Sequence, residues 1–192
     1  MIQHYEDFYQ RLNNYATITQ EAKKSLESLV SVKIITKNTH LSALYESQRK
    51  IGFVFSGVIR SFYLDENGNE HNKNFFTKNN FFMTSLDENP DSSVSIQSIT
   101  ECCVLMIDYS AYMNLSSQHN CLEHALNAIL LEYMTQKQHR EIELLSLDAK
   151  KRYIKFVNDN PTLETILPQY HIASYLGITP TQLSRIRKNQ HL

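Results

Sequence analysis

The sequence predicts an α+β protein: a helical opening segment, a jelly-roll-like antiparallel β-roll, a long connecting helix, and a terminal group of short helices. Three observations carry this. Between Val32 and Asp108 the chain is a succession of short β-type runs with no helical period between them, the pattern of an antiparallel sandwich or barrel. After Gln118, apolar residues recur at helical spacing. From Pro168 to Lys188, a small residue, a glycine, a cap, a proline and a row of donors follow one another at the intervals two short crossed helices require.

Residues 4–30 read as helical. Tyr5, Phe8, Tyr9 and Leu12 form one stripe, and Ala22, Leu26, Leu29 and Val30 form a second that Thr19 is placed to cap. The expected strands are Val32–Thr36, Ile51–Phe55, Val58–Leu64, Glu70–Phe76, Val94–Ile99 and Cys103–Ile107. Between the third and fourth, Asp65-Glu66-Asn67-Gly68-Asn69 holds an Asn-Gly pair, a hairpin signal because both residues accept positive φ. Asp108 is placed to cap a short helix to about Leu115.

The next helix carries Leu122, Leu126, Ile129 and Tyr133 at intervals of four, three and four. That heptad-like seam suits either a partner helix in a homodimer or the chain's own sheet, and the spacing serves both. A further helix, Ala149–Asn158, buries Tyr153, Phe156 and Val157 and is expected to stop at Asn160-Pro161.

Composition narrows the function classes. Apolar residues make up 42% and charged residues 20% of the 192, and no apolar stretch approaches the roughly 18 residues of a membrane span. The polar, acidic N-terminus does not read as a signal peptide, so a soluble cytoplasmic protein is expected. Cys102, Cys103 and Cys121 fit neither a disulfide framework nor metal-ligand spacing. The eight histidines include no pair placed to hold a metal. No phosphate-loop, Gly-x-Ser-x-Gly or His-Glu-x-x-His motif occurs; neither an enzyme nor a cofactor is expected. The charge is uneven. Residues 147–192 carry seven Lys or Arg against three acids, +4 on a chain whose total is −1, which leaves −5 for the rest. A basic terminal part on an acidic body is the distribution expected when one part meets phosphates.

The segment 168–188 supplies the means. Ala173 is the small residue where a second helix crosses the first, Gly177 can end the first helix in the left-handed conformation, and Ile178 plugs the turn. Thr179 caps the second helix and Pro180 takes its first position. With Ile172, Leu176, Leu183 and Ile186 turned inward, the outer face holds Thr181, Gln182, Ser184, Arg185 and Lys188, with Arg187 nearby. Such donors and cations read base edges and phosphates in a major groove.

This segment, with Phe53-Val54-Phe55-Ser56-Gly57-Val58-Ile59-Arg60 and Asp65-Glu66-Asn67-Gly68, resembles the Crp/Fnr family of bacterial transcription regulators. The resemblance implies a cyclic-nucleotide-binding-like β-roll over residues 1–115, a connecting and dimerisation helix over 116–146, and a helix-turn-helix of the winged type over 147–192. The recognition helix ends almost at Leu192, so no wing is expected. By position, the resemblance makes Arg185 the base-reading arginine, with Thr181 and Gln182 beside it, and gives phosphates to Gln169, Thr179 and Lys188.

The resemblance departs at the nucleotide site. Members that bind cyclic AMP hold its ribose and phosphate with a Gly-Glu pair and a following arginine. Here Met83-Thr84 stand at the pair and Ser92 at the arginine, among Asp87, Glu88 and Asp91, so a phosphate would meet acids without a cation. The function expected is therefore a sequence-specific regulator binding double-stranded DNA as a homodimer, not controlled by cyclic AMP and open to an unidentified small-molecule effector. The alternative is a sensory or protein-interaction module whose helix-turn-helix no longer binds DNA.

Overall fold

The structure, a computed structural model, describes residues 2–44, 49–85 and 94–189. Asp87, Glu88, Asp91 and Ser92 lie outside the described residues. The chain divides into two compact units: residues 1–62 with 75–132, and residues 63–74 with 133–192.

The first unit opens with α1 (Ile2–Asn13) and α2 (Gln20–Glu27). Thr19 caps α2 by accepting the Ala22 N–H. Strands β1 (Ser31–Ile35), β2 (Lys50–Ser56), β3 (Ile59–Leu64), β4 (Glu70–Phe76), β5 (Phe81–Met83), β6 (Val94–Ser98) and β7 (Cys102–Asp108) follow, with the single turn of α3 (Leu41–Leu44) after β1. They form one sheet in the order β1-β7-β2-β5 and another in the order β4-β3-β6. The expected strands are all present. β5 escaped the sequence reading because three residues are too few to display a period.

Phe53 on β2 is the hub of the first unit's core, its ring 5.4 Å from Phe8, 5.3 Å from Phe55 and 4.9 Å from Phe81. Thus α1 is held by the aromatic stripe its sequence displays. Gly57, at φ +92, turns β2 into β3 where an added Cβ would meet the Glu101 carbonyl oxygen at 2.4 Å, an approach only glycine permits. Asp108 caps α4 (Tyr109–Ser116) by accepting the Ala111 N–H, and this cap together with Lys50 holds its carboxyl below the usual range. The long helix α5 (Asn120–Ser146) begins in this unit. Its Leu122, Ala125 and Leu126 are buried in the same core as Phe53. Glu132 receives the Arg11 guanidinium at 2.9 Å and the Tyr15 hydroxyl, tying α1 to α5.

The second unit contains the tip of the β3–β4 hairpin, the rest of α5, and α6 (Ala149–Asp159), α7 (Pro161–Ile166), α8 (Gln169–Leu176) and α9 (Pro180–Lys188). At the hairpin tip only Gly68 has positive φ; Asn67 does not, contrary to the two-residue turn expected. The Asp65 carboxylate accepts the N–H groups of Asn67 and Asn69, and the Gly68 N–H reaches the Asp65 oxygen at 2.9 Å. That aspartate organises a turn followed by one left-handed glycine, so a second positive φ is unnecessary. α6 stops at Asn160-Pro161 as expected, and Pro161 then starts α7 at its first position, where a missing N–H costs nothing.

Candidate nucleic-acid interface

In the second unit α6, α7, α8 and α9 surround a small core of Tyr153, Phe156, Leu163, Leu167, Ile172, Ala173, Leu176 and Leu183, all buried. Arg152 on α6 donates from Nε to the Leu176 oxygen at 3.0 Å and from Nη1 to the Leu147 oxygen. It therefore satisfies carbonyls at the ends of α5 and α8 that no helical N–H can reach.

Helix α8 ends as its sequence requires. Gly177 adopts φ 66 and ψ 38, its N–H returning to the Ala173 and Ser174 carbonyls. Three residues later α9 begins behind a complete capping box: the Thr179 hydroxyl accepts the Gln182 N–H at 3.1 Å, and the Gln182 side-chain oxygen accepts the Thr179 N–H at 3.0 Å. Pro180 occupies the first position of α9. The Gln182 N–H in the first turn of α9 is thus satisfied locally. Ala173 is completely buried at the crossing and Leu183 anchors α9 from beneath.

Thr181, Gln182, Ser184, Arg185 and Lys188 are all exposed on α9, as the sequence pattern places them. Gln169 and Thr179 are exposed at the starts of α8 and α9. Thr179 and Gln182 each have one side-chain oxygen committed to the cap. Arg187 departs from the expected row: its guanidinium pairs with Glu164 on α7 at 2.8 Å and is only 27% exposed. Helical period alone puts Arg187 near the outer face; Glu164 on α7 turns it inward.

The four residues expected to suit either a partner helix or the chain's own sheet are buried or half-buried in this chain. Leu122 is 0% and Leu126 is 8% exposed, and Ile129 packs against the same core. Tyr133 is half-buried, with Lys137 Nζ 4.9 Å from its ring centroid and its hydroxyl pKa raised by burial. These four side chains are used within the chain itself, the second of the two options their spacing allowed. Beside exposed Leu130 and Leu144, α5 leaves an apolar row of Leu131 at 65%, Met134 at 67%, Ile142 at 53% and Leu145 at 82%. With Gln138 it recurs at intervals of three, four, four and three.

At the roll, Thr84, standing where the family's glutamate would be, is buried, and its hydroxyl accepts the Lys50 N–H at 3.0 Å. A buried cation was missed by sequence: Arg60 is 3% exposed, lies 3.9 Å over the Phe62 ring and donates to the Gln97 side-chain oxygen at 2.8 Å from Nε. Nothing in an alternating strand pattern marks an inward arginine. Cys102 is buried, its thiol pKa raised by burial, while Cys103 and Cys121 are half-buried and free. Among the described residues no cluster of His, Cys, Asp or Glu is arranged to hold a metal, and no helix is long and apolar enough to cross a membrane.

Comparison with known proteins gives the fold its context. No protein-family model matches the chain, and no curated protein matches it in sequence. Among solved structures, FixK2 from Bradyrhizobium japonicum is similar with a TM-score of 0.72 at 16% identity, covering 85% of each chain. A Eubacterium rectale protein placed among transcriptional regulators of the crp/fnr family has a TM-score of 0.70 at 14% identity, covering 92% of this chain and 87% of that one. The c-di-GMP responsive global regulator CLP from Xanthomonas campestris has a TM-score of 0.67 at 15% identity, covering 90% and 92%. The chain therefore has the fold found in Crp/Fnr regulators. The second and third of these similar proteins are described as regulators.

Proposed function

We propose that this protein is a sequence-specific DNA-binding transcription regulator of the Crp/Fnr type, acting as a homodimer and not controlled by cyclic AMP. The observation that carries the reading is the exposed row Thr181, Gln182, Ser184, Arg185 and Lys188 on α9, a helix capped within itself and anchored by buried Leu183. In this reading α8 and α9 are a helix-turn-helix. Arg185 forks onto a guanine edge, Thr181 and Gln182 read beside it, Ser184 hydrogen-bonds close by, and Gln169, Thr179 and Lys188 hold phosphates. Arg187 has a structural part, because its charge is already paired with Glu164.

The division of labour follows the chain: residues 1–115 as the sensor roll, 116–146 as the connecting helix, and 147–192 as the DNA-binding part. Two copies joined along Leu131, Met134, Ile142 and Leu145 would set two recognition helices about 34 Å apart, one turn of DNA, and so read a near-palindromic site. The buried, backbone-bonded Thr84 supports a roll without the carboxylate that holds a cyclic nucleotide's ribose.

The test is selection of bound sequences from a random duplex pool at about 0.15 M salt, where non-specific attraction is weakened. An enriched inverted repeat, lost in Arg185→Glu, is the expected result. Absence of enrichment, with Arg185→Glu indistinguishable from the parent, overturns the reading in favour of an interaction module.

A further inference from the structure

Three cations gather in the second unit where the hairpin tip meets α5. Lys137 donates from Nζ to the main-chain oxygen of Lys73 at 3.2 Å, with the Tyr133 ring 4.9 Å from the same nitrogen. Arg140, three residues further along α5 and so on the same side of it, lays its guanidinium 3.8 Å from the centre of the Tyr175 ring. The Lys73 side chain is exposed on the hairpin.

None of the three forms an ion pair among the described residues. Glu143, one turn beyond Arg140, has its carboxylate 3.6 Å from Lys155, and its charge also acts on Arg140 from beyond ion-pair distance. Lys137 shows the consequence. Burial, then the charge of Lys73, then that of Arg140 bring its pKa down to about 8, so the fold holds a cation where cations repel one another.

We propose that Lys73, Lys137 and Arg140 form a binding site for phosphate groups, filled by a small multiply phosphorylated molecule. Two ammonium groups act as point charges, while the flat guanidinium, stacked on one face, keeps its in-plane N–H edges for a bidentate contact. Both aromatic rings already carry a cation, so recognition is by charge and does not require a nucleobase. A phosphate-rich ligand adds countercharge to a cluster whose one acting carboxylate, Glu143, is itself paired with Lys155. Because α5 and the hairpin both contribute, a bound anion would fasten one to the other.

The same phosphate chemistry could come from a DNA backbone, and the experiment separates the two sources. Inorganic pyrophosphate is titrated calorimetrically into the full chain, without DNA, at low salt. The variants Lys73→Met, Lys137→Met and Arg140→Met keep the aliphatic packing and remove one charge each. The expected result is saturable binding by the parent, weakened about tenfold or more by each variant, the scale of losing one charge-assisted contact. Thermal melting accompanies each titration: the variants should melt no lower than the parent, and pyrophosphate should raise the parent's midpoint. Should Lys137→Met fail to fold, exposed Lys73→Met carries the test.

In parallel, the slope of log DNA affinity against log salt is measured for each variant. A slope reduced by about one, with no pyrophosphate binding, assigns the cluster to DNA phosphates and overturns the small-molecule occupant. No pyrophosphate binding and unchanged slopes overturn the site altogether. Since the calorimetric arm uses no DNA, its outcome is independent of whether the protein is a regulator.

Discussion

Arg187 and Glu164 form an ion pair that joins the last helix of the chain to α7: Nη2 lies 2.8 Å from Oε1, and the same oxygen accepts the Tyr153 hydroxyl at 3.1 Å. The Glu164 and Arg187 side chains are 19% and 27% exposed, so solvent screens the pair only in part. Arg187→Met should lower stability by about 1 kcal/mol and leave DNA affinity and its salt dependence unaltered, whereas Arg185→Ala should leave stability unaltered and cost about 1–3 kcal/mol of DNA affinity with relaxed base preference. Thermal melts alongside binding isotherms at several salt concentrations distinguish the two arginines. A loss of DNA contacts in Arg187→Met would contradict the assignment.

The two apolar rows of α5 should respond differently to substitution. Leu122→Ala opens the core shared with Phe53, at a cost of about 2–5 kcal/mol whatever the association state. Met134→Glu and Leu145→Glu change residues that are 67% and 82% exposed, and should yield a folded monomer. Sedimentation velocity with circular dichroism checks both. A dimer that survives Met134→Glu and Leu145→Glu together would place the interface elsewhere.

Gly177 tests the turn between α8 and α9. A Cβ there would stand 3.5 Å from Leu144 Cδ2, an ordinary contact, so the cost of Gly177→Ala should come from its φ of 66 alone. That is about 1–2 kcal/mol, and Gly177→Asn should cost less because asparagine tolerates the left-handed region. Chemical denaturation measures the difference; equal losses for Ala and Asn would mean that contact, not conformation, decides.

Lys137 makes stability depend on alkaline pH. Its pKa is near 8 in the fold against 10.5 for an unperturbed lysine, so between those values the unfolded chain binds more protons than the folded one. Stability should therefore rise as pH increases from about 8 to about 10.5 through this group, over whatever other groups contribute. Lys137→Met should remove that component, and denaturation midpoints across the interval compare the two proteins directly. Identical pH profiles would show that the cluster imposes no charge penalty.

What the sequence could disclose follows from the range of the interactions involved. The capping box at Thr179 and Gln182, the left-handed end at Gly177 and the caps at Thr19 and Asp108 all lie within a few residues of the groups they satisfy. Short-range hydrogen bonding and steric rules therefore made them legible. So did the outer face of α9, because helical period alone turns Thr181, Ser184, Arg185 and Lys188 away from Leu183. The strands announced themselves as short runs of β-type residues, except β5, which is too short to show one.

Tertiary structure decided what each face meets. Period made Leu122, Leu126, Ile129 and Tyr133 a stripe, but only the folded chain turns Leu122, Leu126 and Ile129 onto its own core, while Met134 and Leu145 stay exposed. Arg185 and Arg187 are the same residue type two positions apart. Glu164 pairs with one and not the other, because α7 brings a carboxylate from more than twenty residues away. The approach of Lys73 to Lys137 is longer in range still. Local spacing determined which helices and caps form; which charges and apolar rows are consumed inside the protein, and which remain for partners, depended on contacts between distant residues that no local pattern encodes.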